Sequence, residues 1–326
     1  KRQEVVNVIK GGLDDVSISR SGKSWGIPLP IDGSHVIYVW FDALTNYISA
    51  LGYGGGEGEL FKKYWPADYH VIGKDITRFH CVIWPSMLMA AGVELPESVF
   101  AHGFISLGGE KMSKTRGNIL DPSRMAAAFG ADGLRYLLLR EVPFDRDGDI
   151  SVEILLNRYN ADLANELGNL FRRTTAMITK YFEGNLSERA FDGGAEMHGD
   201  LVRAVDGYRG HMERMEFSRA LGAYWKAVQR ANRFIEEKKP WELAKDPSKK
   251  EELEQVFTEL LAVLVTSGVV LSPFMPGAME AMLAHLGVEA PGLDDVPPAK
   301  VAAEGLEPPK PLFPRIQVEP DKLFED

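Results

Sequence analysis

Apolar positions change their rhythm about halfway along the 326 residues. In the first third they come as short runs, HVIYVW at His35–Trp40, YHVIG at Tyr69–Gly73 and SVFAHGFI at Ser98–Ile105. Each run is rich in aromatic and β-branched residues and is bounded too closely for a helix, as buried strands are. Helical stretches at Ala43–Leu51 and Ile76–Ala91 lie between them. Strand–helix–strand order predicts right-handed crossovers and a parallel sheet. The glycine-rich stretch Gly52–Gly58 reads as a surface turn. From Ser151 onward the spacing is helical: Leu155, Tyr159, Leu163, Leu167, Leu170, Met177 and Tyr181 make one apolar stripe. Longer helical segments follow at 197–238 and 251–271, the first stopped by Pro240, and a shorter one begins after Pro276. The pattern is an α/β part followed by an all-α helix bundle.

Composition narrows the class. Hydrophobic residues are 45% and charged residues 26% of the chain, as in soluble globular proteins. The richest apolar stretch, Leu260–Leu271, is too short to span a bilayer and is followed by Pro273, so a buried helix is expected there. The chain opens at Lys1 with no apolar signal-peptide core, which fits an internal fragment or a processed start. The single cysteine, Cys81, cannot form an intramolecular disulfide and points to a reducing, cytoplasmic setting. Without a Cys-x-x-Cys pair, no thiolate zinc site is expected within this chain. The net charge of −10 opposes non-specific attraction to phosphate, although Arg172, Arg173 and Lys180 can form a local basic patch.

Five segments carry candidate chemistry. In GGEKMSKTRG (Gly108–Gly117), glycines flank Lys111 and Lys114. Two flexible cations on such a loop suit charge developing on a departing phosphate group. In HVIGKDITRFHCVIWP, a strand runs through Gly73 into a helix on which Ile76, His80 and Trp84 recur every four residues. Ligands of doubly wound sheets bind at such strand ends. In YVWFDALTNY, the residues Trp40, Ala43, Leu44 and Tyr47 follow a strand end. The helix NADLANELGNLFRR places Asn169 and Arg173 four apart, away from the leucine stripe. In KPWELAK, Trp241 is expected to be an exposed ring just past a helix end. Amide, guanidinium and aromatic groups are those that read and stack splayed bases.

Taken in order, these segments resemble the methionyl-tRNA synthetases of class I. KMSKT is similar to the family's Lys-Met-Ser-Lys-Ser signature, with Thr115 in the last position, and RGNILDP extends the match. The resemblance covers nearly the whole chain, and KRQEVVNVIKGGLDDVSISR with WGIPLP resembles the return from the family's connective insertion. It implies the second half of a Rossmann-type parallel-sheet catalytic domain followed by a helical anticodon-binding domain. The implied boundaries are 1–107 for the catalytic half, of which 1–20 return from the connective region. The lysine-loop and linking region is 108–150, the anticodon-binding domain 151–290 and an extended tail 291–326. It further implies methionine contacts at Trp40, Ala43, Leu44, Tyr47, Ile76, His80 and Trp84. ATP contacts are implied at Gly73, Lys74, Asp75, Lys111 and Lys114, the two loop lysines being catalytic, and anticodon contacts at Asn169, Arg173 and Trp241. The substrates implied are methionine, ATP with Mg²⁺, and tRNA(Met). The family's His-Ile-Gly-His motif, which contacts the ATP phosphates, is not in this sequence. A complementing N-terminal half is therefore expected, and the chain alone is expected to be inactive. A sister synthetase for leucine, isoleucine or valine shares the lysine loop but not the WFDALTNY and GKDI..FH pair. A non-catalytic tRNA-binding relative fits the missing histidine motif but not the intact lysine loop.

Overall fold

The computed structural model describes residues 1–23, 25–55, 58–111, 120–320 and 323, with the side chain of Lys111 left aside. The chain divides into two compact units, 1–104 and 105–326, and each is described by itself.

The first unit begins with helix α1 (Arg2–Lys10), then strands β1 (Ser19–Ser21), β2 (Pro28–Leu29) and β3 (Asp32–Ile37). These three strands form an antiparallel sheet in the order β1-β3-β2. The run at 35–40, expected as one strand, therefore splits. The strand ends at Ile37, Tyr38 is extended, and helix α2 (Val39–Ser49) begins at once. Aromatic residues suit both states, so composition alone does not mark the junction. Helix α3 (Glu59–Tyr64) leads to strands β4 (Tyr69–Gly73) and β5 (Ser98–His102). These two pair in parallel, with Tyr69 opposite Ser98 and Gly73 opposite His102. The crossover between them contains a 3₁₀ turn (Lys74–Ile76), a π-helical stretch (Phe79–Ile83) and helix α4 (Trp84–Ala90). Its core is Leu44, Ile48, Trp65, Trp84 and Leu88.

The second unit opens with β6 (Ile105–Leu107), β7 (Glu110–Lys111) and β8 (Gly148–Ile150), in the order β7-β6-β8. Gly108 and Gly109, at φ +60° and +81°, make the turn between β6 and β7, a backbone region that favours glycine. Helices α5 (Pro122–Phe129) and α6 (Ala131–Glu141) precede β8. Asp121 caps α5 by accepting the Ser123 and Arg124 N–H groups. The leucine-stripe segment is one long helical run in three parts: α7 (Val152–Arg158), a π-helical stretch (Tyr159–Gly168) and α8 (Asn169–Phe182). Strand β9 (Leu186–Ala190) is followed by α9 (His198–Met212), α10 (Phe217–Lys238), the short α11 (Pro240–Leu243), α12 (Lys250–Val270) and α13 (Pro276–His285). By length and composition alone, the helix ending at Val270 could cross a bilayer, yet 83% of its apolar window is buried in this unit. It is the central core helix, apolar all round because neighbours surround it.

The residues after 290 are less extended than composition suggests. Strand β10 (Lys300–Ala303) pairs antiparallel with β9, and Val301, Ala303, Leu306 and Phe313 are buried. Gly184 fastens this segment, its carbonyl accepting the Leu306 N–H at 3.0 Å. With φ at +81°, a Cβ on Gly184 would lie 2.5 Å from the Leu306 oxygen. The substitution Gly184→Ala therefore combines a backbone clash with an unfavourable φ and is expected to cost about 1–3 kcal/mol. A chemical denaturation curve with an unmoved midpoint would show that this contact contributes nothing.

Candidate functional site

Within the first unit, α2 and the β4–β5 crossover bring most of the aromatic candidates together. Trp40 stacks on Phe79 with ring centroids 4.2 Å apart. His80 meets the Trp40 ring edge-on at 6.4 Å and the Tyr47 ring at 5.6 Å. Trp84 lies 6.0 Å from Tyr47. The polar atoms form an ordered chain. His80 Nδ1 lies 3.0 Å from the Ile76 carbonyl oxygen, which can only accept, so Nδ1 carries the proton. His80 Nε2 is then an acceptor and takes the Tyr47 hydroxyl at 2.9 Å. Burial pushes the Tyr47 phenol above its usual pKa, so it stays protonated and donating. His80 and Trp84 are each 1% exposed. Leu44 is buried in the core beside Trp84, Ile76 is half-buried and contributes its carbonyl, and Ala43 is exposed.

The nucleotide candidates sit where β4 ends. A Cβ on Gly73 would lie 2.7 Å from Asp75 Oδ1, so a side chain there would displace the Asp75 carboxylate. Lys74 lies over the Phe104 ring at 4.8 Å, and Asp75 is exposed. A parallel strand pair whose end passes through the extended Gly73 into a 3₁₀ turn, with a cation and a carboxylate at its C-terminal edge, suits phosphate and ribose groups.

In the second unit, Lys111 closes β7 opposite Ser106. Lys114 lies outside the described residues. The base of the hairpin is pinned by Asp149 on β8, whose Oδ1 accepts the Gly109 N–H at 2.8 Å and the Ser106 hydroxyl at 2.7 Å. The Gly109 bond, then the Ser106 bond, hold the Asp149 carboxyl below its usual pKa. Asn169 and Arg173 are half-buried on α8, and Arg173 pairs with Glu236 of α10 at 2.7 Å. Trp241 corrects one expectation. It lies in α11, half-buried against the core and not fully exposed, because Pro240 turns the chain back onto α12. The preceding π-helical stretch carries Asp162, 4% exposed, which accepts the Tyr136 hydroxyl at 2.6 Å and pairs with Arg158 and Arg140. Burial first, then the Asp162 charge, pushes the Tyr136 phenol well above its ordinary value.

Three residues bearing on these sites were not singled out by sequence reasoning: His70, Phe79 and Asp149. His70 is 5% exposed, and its Nε2 accepts the Trp84 indole N–H at 3.2 Å. A histidine inside a run as apolar as YHVIG is an available signal, since a buried imidazole needs a partner. Phe79 and Asp149 carry no comparable mark.

The chain is similar to proteins of one known family. Residues 1–175 match the family model for tRNA synthetases class I (M). Residues 188–323 match the anticodon binding domain of methionyl tRNA ligase. A methionine–tRNA ligase of Caldanaerobacter subterraneus is 50% identical over 88% of this chain and 46% of its own length. That of Bacillus subtilis is 43% identical over 99% of this chain and 50% of its own length. A structure of Mycobacterium tuberculosis methionyl-tRNA synthetase in complex with methionyl-adenylate has a TM-score of 0.87 and 41% identity, covering 96% of this chain and 63% of that one. The chain thus spans about half the length of the curated relatives it matches. It belongs to the methionyl family of class I tRNA synthetases.

Proposed function

We propose that this chain supplies the methionine pocket, the lysine loop and the anticodon-binding helices of a cytoplasmic methionine–tRNA ligase. The observation that carries the reading is the hydrogen-bonded chain Tyr47–His80–Ile76, centred on the buried His80 and flanked by Trp40 and Trp84. A thioether side chain is apolar and polarizable, and it gains about 0.3–1.5 kcal/mol against an aromatic ring. Tyr47 donates its proton to His80, so its oxygen lone pairs remain to accept from the ligand's ammonium. One missing or added methylene in such a pocket discriminates by about 1–3 kcal/mol.

The reaction has two steps. A carboxylate oxygen of methionine attacks the α-phosphorus of ATP, and pyrophosphate leaves with the electrons of the broken phosphoanhydride bond. The terminal ribose hydroxyl of tRNA(Met) then attacks the methionyl carbonyl, and AMP leaves. Neither step requires a protein nucleophile, so the chain's task is positioning and electrostatics. Gly73, Lys74 and Asp75 hold the nucleotide, while Lys111 and Lys114 stabilise the charge on pyrophosphate. Mg²⁺ enters with ATP as part of the nucleotide substrate. Among the described residues, no group of three or more His, Cys, Asp or Glu could hold a metal ion. Asn169, Arg173 and Trp241 read the anticodon. For Arg173 this requires exchanging Glu236 for RNA. The uncovered half of the relatives' length corresponds to a further segment, joined or separate, that completes the catalytic domain.

In the complete ligase, Lys114→Ala is expected to slow adenylate formation by about 100-fold or more while changing methionine affinity less than about threefold. Equal losses in rate and affinity, measured by single-turnover kinetics and methionine titration, contradict the lysine's role. Trp241→Ala is expected to leave pyrophosphate exchange intact and to lower the charging rate at limiting tRNA by about tenfold, the value of one stacked base. Charging unchanged by this substitution removes Trp241 from the tRNA site.

A further inference from the structure

His70 is the second residue of β4, three residues before Gly73, and belongs to none of the contact sets above. Its ring is enclosed on several sides. Tyr47 from α2 packs on it at 4.3 Å, Trp65 lies at 6.0 Å and His80 at 6.2 Å. Its Nε2 is 3.2 Å from the Trp84 indole nitrogen. An indole N–H can only donate, so Nε2 must be unprotonated and the neutral ring must carry its proton on Nδ1. Trp84 is 1% exposed, so without this acceptor its N–H would be buried and unpaired.

We propose that His70 is a positioning residue of the methionine pocket: it fixes the Trp84 indole through Nε2 and supports the Tyr47 ring on its face, and so holds two walls of the pocket at their spacing. The inference rests on the methionine reading of Trp84 and Tyr47 given above. It assigns His70 no contact with the ligand. The two walls come from different elements, α4 and α2, and His70 on β4 touches both. Through Tyr47 the support extends to His80 and to the Ile76 carbonyl.

The arrangement has a sense in pH. Protonation of His70 places an N–H against the indole N–H and adds a positive charge beside His80. Burial first, then the neighbouring His80, which disfavours a second positive charge, lowers the His70 pKa from the usual 6.5. The neutral form that accepts from Trp84 therefore holds across neutral pH and is lost only as pH falls through the lowered pKa. The titratable side chains facing His70 are Tyr47 and His80. Tyr47, its pKa raised by burial, keeps its charge state throughout the acid range.

Two substitutions separate the contact from the titration. His70→Gln keeps an acceptor near Nε2 but cannot be protonated. His70→Phe keeps a ring against Tyr47 but strands the indole N–H. In pyrophosphate exchange by the complete ligase, the wild-type KM for methionine should rise as pH falls to the acid side of the ordinary histidine range, with the KM for ATP flat. The Gln variant should keep a near-normal methionine KM at pH 7.5 and lose the acid-side rise. The Phe variant should raise the methionine KM by about tenfold at pH 7.5 with the ATP KM unchanged. A Phe variant with unaltered methionine KM, or a Gln variant that retains the acid-side rise, overturns the proposal while leaving the ligase reading standing. A wild-type ligase without methionine-dependent exchange overturns the ligase reading itself, and the pocket role with it. The nitrogen shifts of labelled His70 decide the geometry independently of activity. A neutral ring protonated at Nδ1 is expected, and one protonated at Nε2 sinks the proposal whatever the kinetics.

Discussion

A buried indole N–H and a half-buried phenol O–H both need acceptors, and in the first unit both are satisfied by imidazole nitrogens. Leaving either unpaired would cost about 1–3 kcal/mol. His70 takes the Trp84 proton and His80 takes the Tyr47 proton. This constraint ties β4, α2 and the crossover helix into one frame, with the aromatic rings held a few ångströms apart between them. A site for a side chain with no charge and no hydrogen-bond donor of its own depends on such a frame, because shape and polarizability are all it can read.

The helical half was largely legible. The three-and-four spacing from Leu155 to Tyr181 corresponds to buried or partly buried positions of one helical run, and Pro240 marks the end of α10. The parallel pairing of YHVIG with SVFAH also follows from strand–helix–strand order. Three things were hidden. The run at 35–40 crosses from strand to helix at Tyr38, where the residues favour both. The widened π-helical turns at Phe79–Ile83 and Tyr159–Gly168 leave no trace in a 3.6-residue period, yet they carry His80 and Asp162. The pairing of β9 with β10 joins residues more than a hundred positions apart, and short polar-edged strands have little pattern to announce it.

The candidate residues were legible unevenly, for a physical reason. Motifs that bear charge or glycine stand out in a sequence, and so the lysine loop, Gly73 and Asp75 could be named as candidates from it. Residues that act by supporting others do not. Asp149 accepts two hydrogen bonds from the hairpin that leads into residues 112–119, and only the β6–β8 pairing brings it there. Trp241 looked exposed because it follows a helix end, but the turn at Pro240 lays it against the core. Half-burial leaves part of its face open, which remains compatible with stacking on a base.

The chain carries the residues proposed for the methionine pocket and the lysine loop, and it matches an anticodon binding domain, but about half the length of its relatives lies outside it. The central claim is that these parts are competent and need only the remainder of the catalytic domain. Methionine-dependent ATP–pyrophosphate exchange tests it most directly, run on this chain alone and again with the segment matching the uncovered half of the relatives. Exchange only in the complemented sample is the expected result. Exchange by the chain alone, or none in either sample with tRNA binding retained, would contradict the account.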